Sequence, residues 1–163
     1  MKAKKPIIFA AITVSLLAAA FVVLFGNPVI LKNNRDFGRS VRALNVDSVT
    51  LNELTSFEWD AVYTFPLYMP RQQMEEIIGF RSRYIQQTYS ESAMQLIFVR
   101  GNRVVCAVIG FPDGYMVFFS TASGKNYSKI RYSDNAVFSV EHRDVWIVAT
   151  NTYIPMVILS HTE

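Results

Sequence analysis

Few residues in this chain could do chemistry, and their spacing is unhelpful. Histidine, the commonest general base, occurs twice, at His142 and His161. His142 sits in Glu141-His142-Arg143-Asp144, a polar tetrapeptide between apolar runs that reads as a β-turn. A catalytic reading would join His142 and Asp144 to Cys106 or a serine, but no nucleophile-elbow glycines accompany them. His161 is third from the C-terminal end, where disorder is expected. Cys106 lies in the apolar run Val104-Val105-Cys106-Ala107-Val108-Ile109 and reads as a small buried hydrophobe. Glu58 and Asp60 would share a strand face about 7 Å apart, a spacing open to acid–base work but equally that of a solvated face. Glu75-Glu76 is the other close acidic pair. One cysteine and two distant histidines cannot make a Cys/His metal site. Gly101, Gly110, Gly114 and Gly124 form no phosphate-cradling pattern. No cofactor is expected, and neither is an enzyme.

The aromatic content points elsewhere. Twelve Phe, eight Tyr and two Trp exceed what a small core obviously needs. Tyr and Trp bury large areas at low entropy cost, which suits protein interfaces. Trp59, Tyr63, Tyr68, Tyr84, Tyr89 and Tyr127 are therefore the candidate interface residues. The blander alternative is that they roof a sheet.

Charge narrows the partners. Three of the sixteen basic residues are Lys2, Lys4 and Lys5, which leaves thirteen basic against thirteen acidic residues in the body. A neutral body lacks the electrostatic footprint of nucleic-acid binding. After those lysines, Pro6 to Phe25 carries no charge, and Val29-Ile30-Leu31 extends the apolar run. About 20 apolar residues at 1.5 Å each match a hydrocarbon core of about 30 Å. The expectation is a membrane contact through residues 6–31, as a retained anchor or as a signal peptide cut near Ala18-Ala19-Ala20. The body then lies outside the cytoplasm, attached to the cell membrane in a single pass, or periplasmic or secreted if the leader is removed.

The elements that position these residues follow from periodicity. Residues 32–46 are polar and basic and read as a linker, which leaves 47–163 as the folded domain. Thr50-Leu51-Asn52-Glu53 has capping-box spacing. Phe57 to Phe65 alternates, with Phe57, Trp59, Ala61, Tyr63 and Phe65 on one face, and predicts a strand. Pro70 and the spacing Met74, Ile77, Ile78 predict a short helix stopped by Gly79. From Met94 the pattern is β: Met94–Arg100 and Arg103–Phe111 around Gly101-Asn102, then Tyr115–Thr121, Tyr127–Tyr132, Ala136–Glu141, Asp144–Thr150 and an edge strand Tyr153–Ser160. The expected class is α+β, an antiparallel sheet of about five to seven strands with one or two short helices on one face. An N-terminal transmembrane or signal helix precedes it.

The stretch from Phe57 to Tyr68, followed by Glu75-Glu76-Ile77-Ile78-Gly79-Phe80, resembles a pattern in small exported bacterial envelope proteins. That resemblance implies a cell-envelope location and a compact α+β body. Many such relatives carry a lipobox cysteine, which is absent here, so their mode of anchoring does not transfer. The function expected from all of this is non-enzymatic binding of an envelope protein, in the manner of an inhibitor or immunity factor. The alternative is a domain that binds a small ligand or cell-wall fragment in a concave aromatic pocket.

Overall fold

The computed structural model describes residues 8, 10–17, 26–90, 93–120, 126–147 and 151–161. Residues 10–17 are helical, and Ile12, Val14, Leu16 and Leu17 are exposed. The rest of the expected membrane segment lies largely outside the described residues. Among the described residues, no helix is long and apolar enough to cross a membrane.

The first described element of the body is a helix, α1, Pro28–Arg42. The expected linker 32–46 is therefore corrected over most of its length. So is the end of the apolar run, because Pro28 to Leu31 forms the first turn of this helix. Asn27 caps it by accepting from the Val29 N–H at 2.9 Å, and Pro28 occupies the turn whose N–H groups have no helical partner. Arg39 and Arg42 complement the dipole at the other end. Ile30, Asn33, Phe37 and Val41 recur at helical spacing and are buried. A basic, polar composition concealed that stripe.

The remaining elements are β1 Ser48–Thr50, α2 Leu51–Leu54, β2 Ala61–Thr64, α3 Arg71–Ile78, β3 Met94–Arg100, β4 Arg103–Gly110, β5 Tyr115–Phe118, β6 Ser128–Arg131, β7 Val137–Ile147 and β8 Thr152–His161. The class is α+β, as expected, but the single sheet becomes two sheets of four strands. One runs β1-β7-β8-β5 and the other β4-β3-β2-β6. The pairing is antiparallel except between β5 and β8, which are parallel. The capping box at Thr50 forms, with the Thr50 N–H donating to Glu53 Oε2 at 2.8 Å. Gly79 ends α3 at φ 97°, where a Cβ would be strained.

Two cores share the β4-β3-β2-β6 sheet. Between the sheets lie Val62, Leu96, Phe98, Cys106 and Ile130 with Phe138, Val157 and Leu159, closed by Phe37 and Val41 of α1. On the opposite face, Ala61, Tyr63, Ile97, Val99 and Val104 pack with Ile30, Phe65, Met74 and Ile85. Strict alternation placed Val62 on an outward face, yet it is fully buried because both faces are covered. Phe98 is the hub, with Phe37, Phe57 and Trp59 rings at 5.4, 5.5 and 5.4 Å. Such tilted and edge-on pairs add to the area term.

Strand β4 is an edge, and α1 covers it. The register shifts between Phe98 and Val99, which leaves Val105 without a partner on β3. Asn33 Nδ2 donates to the Val105 carbonyl at 2.8 Å. Asn34 takes both groups of Ala107, donating to its carbonyl at 2.8 Å and accepting from its N–H at 2.9 Å. One side-chain amide thus stands in for a missing strand. Replacing Asn34 by Ala strands two partly buried backbone groups, at a cost of about 1–3 kcal/mol. Urea unfolding of the variant should show that loss with an unchanged slope. A stability within about 0.3 kcal/mol of the parent would contradict the edge-capping role.

Candidate functional site

The candidate interface residues separate once placed in the fold. Trp59 is a core residue, its Nε1 donating to Thr55 Oγ1 at 2.8 Å and its ring edge-on to Phe98 and Tyr132. Tyr63 is likewise buried, stacked on Phe65 at 6.0 Å with Lys129 Nζ 5.2 Å above the ring. These two roof the sheet rather than face a partner. Tyr84 is half-buried, and its hydroxyl accepts from the Asn27 N–H at 2.6 Å, which ties the start of α1 to the 81–90 loop. Tyr127 is half-buried beside Phe65, with ring centres 5.9 Å apart. Only Tyr68 and Tyr89 are exposed, and they meet edge to face at 6.4 Å.

Tyr68 is held at φ 63°, in the left-handed region that a large side chain rarely adopts. Its N–H donates to Thr88 O at 3.0 Å, and its carbonyl accepts from Gln87 Nε2 at 3.1 Å. Two anchors on the 81–90 loop therefore enforce the strained turn and present the ring to solvent. Strain of this kind is a pointer to function.

Beside that turn runs a groove of about 470 Å³. One wall is Thr64, Phe65, Pro66 and Leu67, and the other is Met116, Val117, Phe118 and Phe119. Thr88, Met94, Gln95 and Tyr127 also line it, and among the described residues no charged side chain does. Leu67 and Thr88 adjoin Tyr68 and Tyr89 in the chain, so the exposed tyrosine pair stands beside it.

The second surface is one that the sequence concealed. Asp144–Thr150 was expected to be a central strand and Tyr153–Ser160 an edge. Instead β7 runs unbroken through the predicted turn at Glu141–Asp144, and β8 lies between β7 and β5. β1 pairs with β7 only at Val137 to Ser139, and β5 pairs with β8 only at Tyr115 to Phe118 against Val157 to Ser160. Beyond those limits the strand partner of β7 among the described residues is β8, up to Ile147 opposite Thr152. The five rungs from Arg143–Met156 to Ile147–Thr152 make an arm about 17 Å long, whose base at Ile154 to Met156 lies beside Gly38 and Arg42 of α1 and Gly114. Trp146 and Tyr153 lie opposite each other near its end, with rings 5.0 Å apart, 44% and 68% exposed. Four consecutive apolar residues from Val145 to Val148 suggested burial, and nothing local in the sequence distinguishes an arm from a core strand.

The candidate chemistry is not assembled. Cys106 is buried in the sheet opposite His142, and burial pushes its thiol well above the usual range. Glu58 is exposed and paired with Arg100, while Asp60 Oδ2 accepts from the Gly101 N–H at 2.6 Å and fixes the β3–β4 turn. His161, expected to be disordered, belongs to β8, with Nδ1 3.2 Å from Ser120 Oγ and its ring against Phe138. Among the described residues no carboxylate hydrogen-bonds to that imidazole, so the pair lacks the group that orients a catalytic base. No metal-holding cluster occurs among the described residues.

Comparisons with protein families, curated proteins and solved structures find no match. Any functional reading therefore rests on the surfaces themselves.

Two outcomes follow from these environments. Tyr68→Gly should relieve left-handed backbone strain and raise stability by about 1 kcal/mol. Unchanged or lower stability in chemical denaturation would show that the tyrosine ring contributes more than the strain costs. Burial holds the Tyr115 hydroxyl up at about 12, with Cys106 adding to the shift and Arg42 opposing it. A folded value above the unfolded value of about 10 means stability present below that pH and lost as pH rises toward 12. Tyr115→Phe should flatten that alkaline loss in a stability–pH profile, and an unaltered profile would assign it to another group.

Proposed function

We propose that this chain is a non-enzymatic bacterial envelope protein, held at a membrane by its apolar leader, whose body binds another protein. The arm carries this reading. A two-stranded ribbon without flanking strands is marginal in water, and it costs conformational order to maintain. Exposed Trp and Tyr at its end are the residue types that supply most of the binding energy in protein interfaces. The exposed apolar side chains of residues 10–17 support the membrane part, and the resemblance over residues 57–80 supports the envelope location.

The groove favours a second reading, binding of a small neutral ligand such as a cell-wall fragment. Its aromatic lining and, among the described residues, the absence of charged side chains are the supporting observations.

A photo-crosslinking residue at position 146 or 153, in the full chain in its own envelope, tests the first reading. It should yield a protein adduct of one defined mass. The same residue at the exposed position 72 on α3 should not. Trp146→Ala with Tyr153→Ala should weaken binding to the captured protein by about 2 kcal/mol or more. Equal adduct patterns from positions 146 and 72 would defeat the reading.

A further inference from the structure

The arm and the groove suit each other, and from this we infer that the arm of one molecule docks in the groove of a second copy of this chain. The inference rests on the arm being a binding element and names its partner.

The groove presents a strand edge. Four consecutive residues, Met116 to Phe119, line it, whereas the face of a strand would contribute only alternate ones. Among the described residues β5 is bonded only to β8, which leaves the N–H and C=O groups of its other edge open. An extended segment can add there as a further strand, with side chains reaching the aromatic walls. Gln95 also lines the groove and is 3% exposed. Its Nε2 donates to Gln86 O at 2.5 Å, and among the described residues its buried Oε1 has no partner.

The arm meets these requirements. No residue from Val145 to Met156 is charged. An uncharged segment entering a groove whose described lining is uncharged avoids leaving a charge desolvated and unpaired. Trp146 brings an indole N–H and Tyr153 a hydroxyl, both able to donate. Pro155 blunts the outer edge of β8, whereas the outer edge of β7 is free beyond Ser139 and Val140. That edge offers backbone partners to β5.

Geometry makes the contact intermolecular. In the parallel pair, Tyr115 faces Val157 and Phe118 faces Ser160, so the groove lies toward the C-terminal end of β8. The arm leaves from the N-terminal end of the same strand. A molecule cannot reach its own groove with its own arm. The contact joins unlike surfaces, so association closes where two copies exchange arms or a ring completes, and otherwise continues.

Sedimentation velocity of the full chain in detergent micelles, over a hundredfold range of protein concentration, tests this. The expected result is a concentration-dependent species of two or more chains. The arm variant, Trp146→Ala with Tyr153→Ala, and a groove variant, Phe118→Asp or Asn126→Glu, should each be monomeric, with association weakened at least tenfold. Phe118 and Asn126 are exposed, so both groove variants should fold. The decisive step is a mixture of arm variant and groove variant. One intact arm and one intact groove remain, and the mixture should form a one-to-one dimer that grows no further. A monomeric parent chain, a mixture that forms no dimer, or groove variants that associate normally would each overturn the inference. If the parent is monomeric while position 146 still crosslinks to another envelope protein, the binding role of the arm survives and only its partner is wrong. If both measurements are negative, the two fall together.

Discussion

A sheet buried on both faces can satisfy its backbone only within itself and at its edges. The β4-β3-β2-β6 sheet is in that position. One face looks into the core shared with the other sheet, and the opposite face is covered by Phe65, Met74 and Ile85. Its β4 edge would expose carbonyl and N–H groups in a partly buried setting, and the register shift at Val105 removes one more ladder contact. The helix α1 resolves both problems. Its apolar stripe closes the cores, with Ile30 on one side of the sheet and Phe37 and Val41 on the other, while Asn33 and Asn34 bond to Val105 and Ala107. Gly38 permits the approach, since a Cβ there would stand 3.1 Å from Cε1 of Tyr115. The helix that precedes β1 is thus a structural part of the body, and cleavage near Asn27 would act on the core directly.

This arrangement also explains which polar residues have no chemistry to do. Asp60 fixes a turn, Glu53 closes a capping box, and Glu75 accepts from Arg71 and from the Ser82 N–H. The Thr50 N–H and hydroxyl hold the Glu53 carboxylate below its ordinary range, which favours the charged form that caps α2. Carboxylates so engaged stabilise local geometry, and their engagement weakens any reading of them as free acids or bases.

What the sequence disclosed follows the range of the interactions concerned. The β3–β4 hairpin, the Thr50 capping box and α3 with Gly79 depend on residues within a few positions of one another, and all three were legible. The division into two sheets depends on pairings such as Ser48 with Ser139 and Tyr115 with Val157, for which no local signal exists. The alternation from Phe57 to Phe65 was real, but only Ala61–Thr64 forms a strand, and burial of both faces erased the polar side it implied. Trp59 and Tyr63 were singled out for size alone, and size suits a core as well as an interface. Trp146 and Tyr153 escaped notice because a projecting ribbon and a buried strand share the same β-forming composition. The Asn27-Pro28 pair was a readable helix start that the neighbouring glycine and polar residues disguised.

The arm and the Tyr68 turn each carry a cost to the fold. Large apolar side chains are exposed at other places too, among them Val29, Phe111 and Val137. The arm gives up flanking strands on both sides, and the turn keeps a tyrosine in a conformation suited to glycine. Neither feature strengthens the isolated domain. A chain that needed only to fold could shorten β7 and β8 to the rungs flanked by β1 and β5 and place glycine at position 68. The requirements of folding therefore account for neither feature.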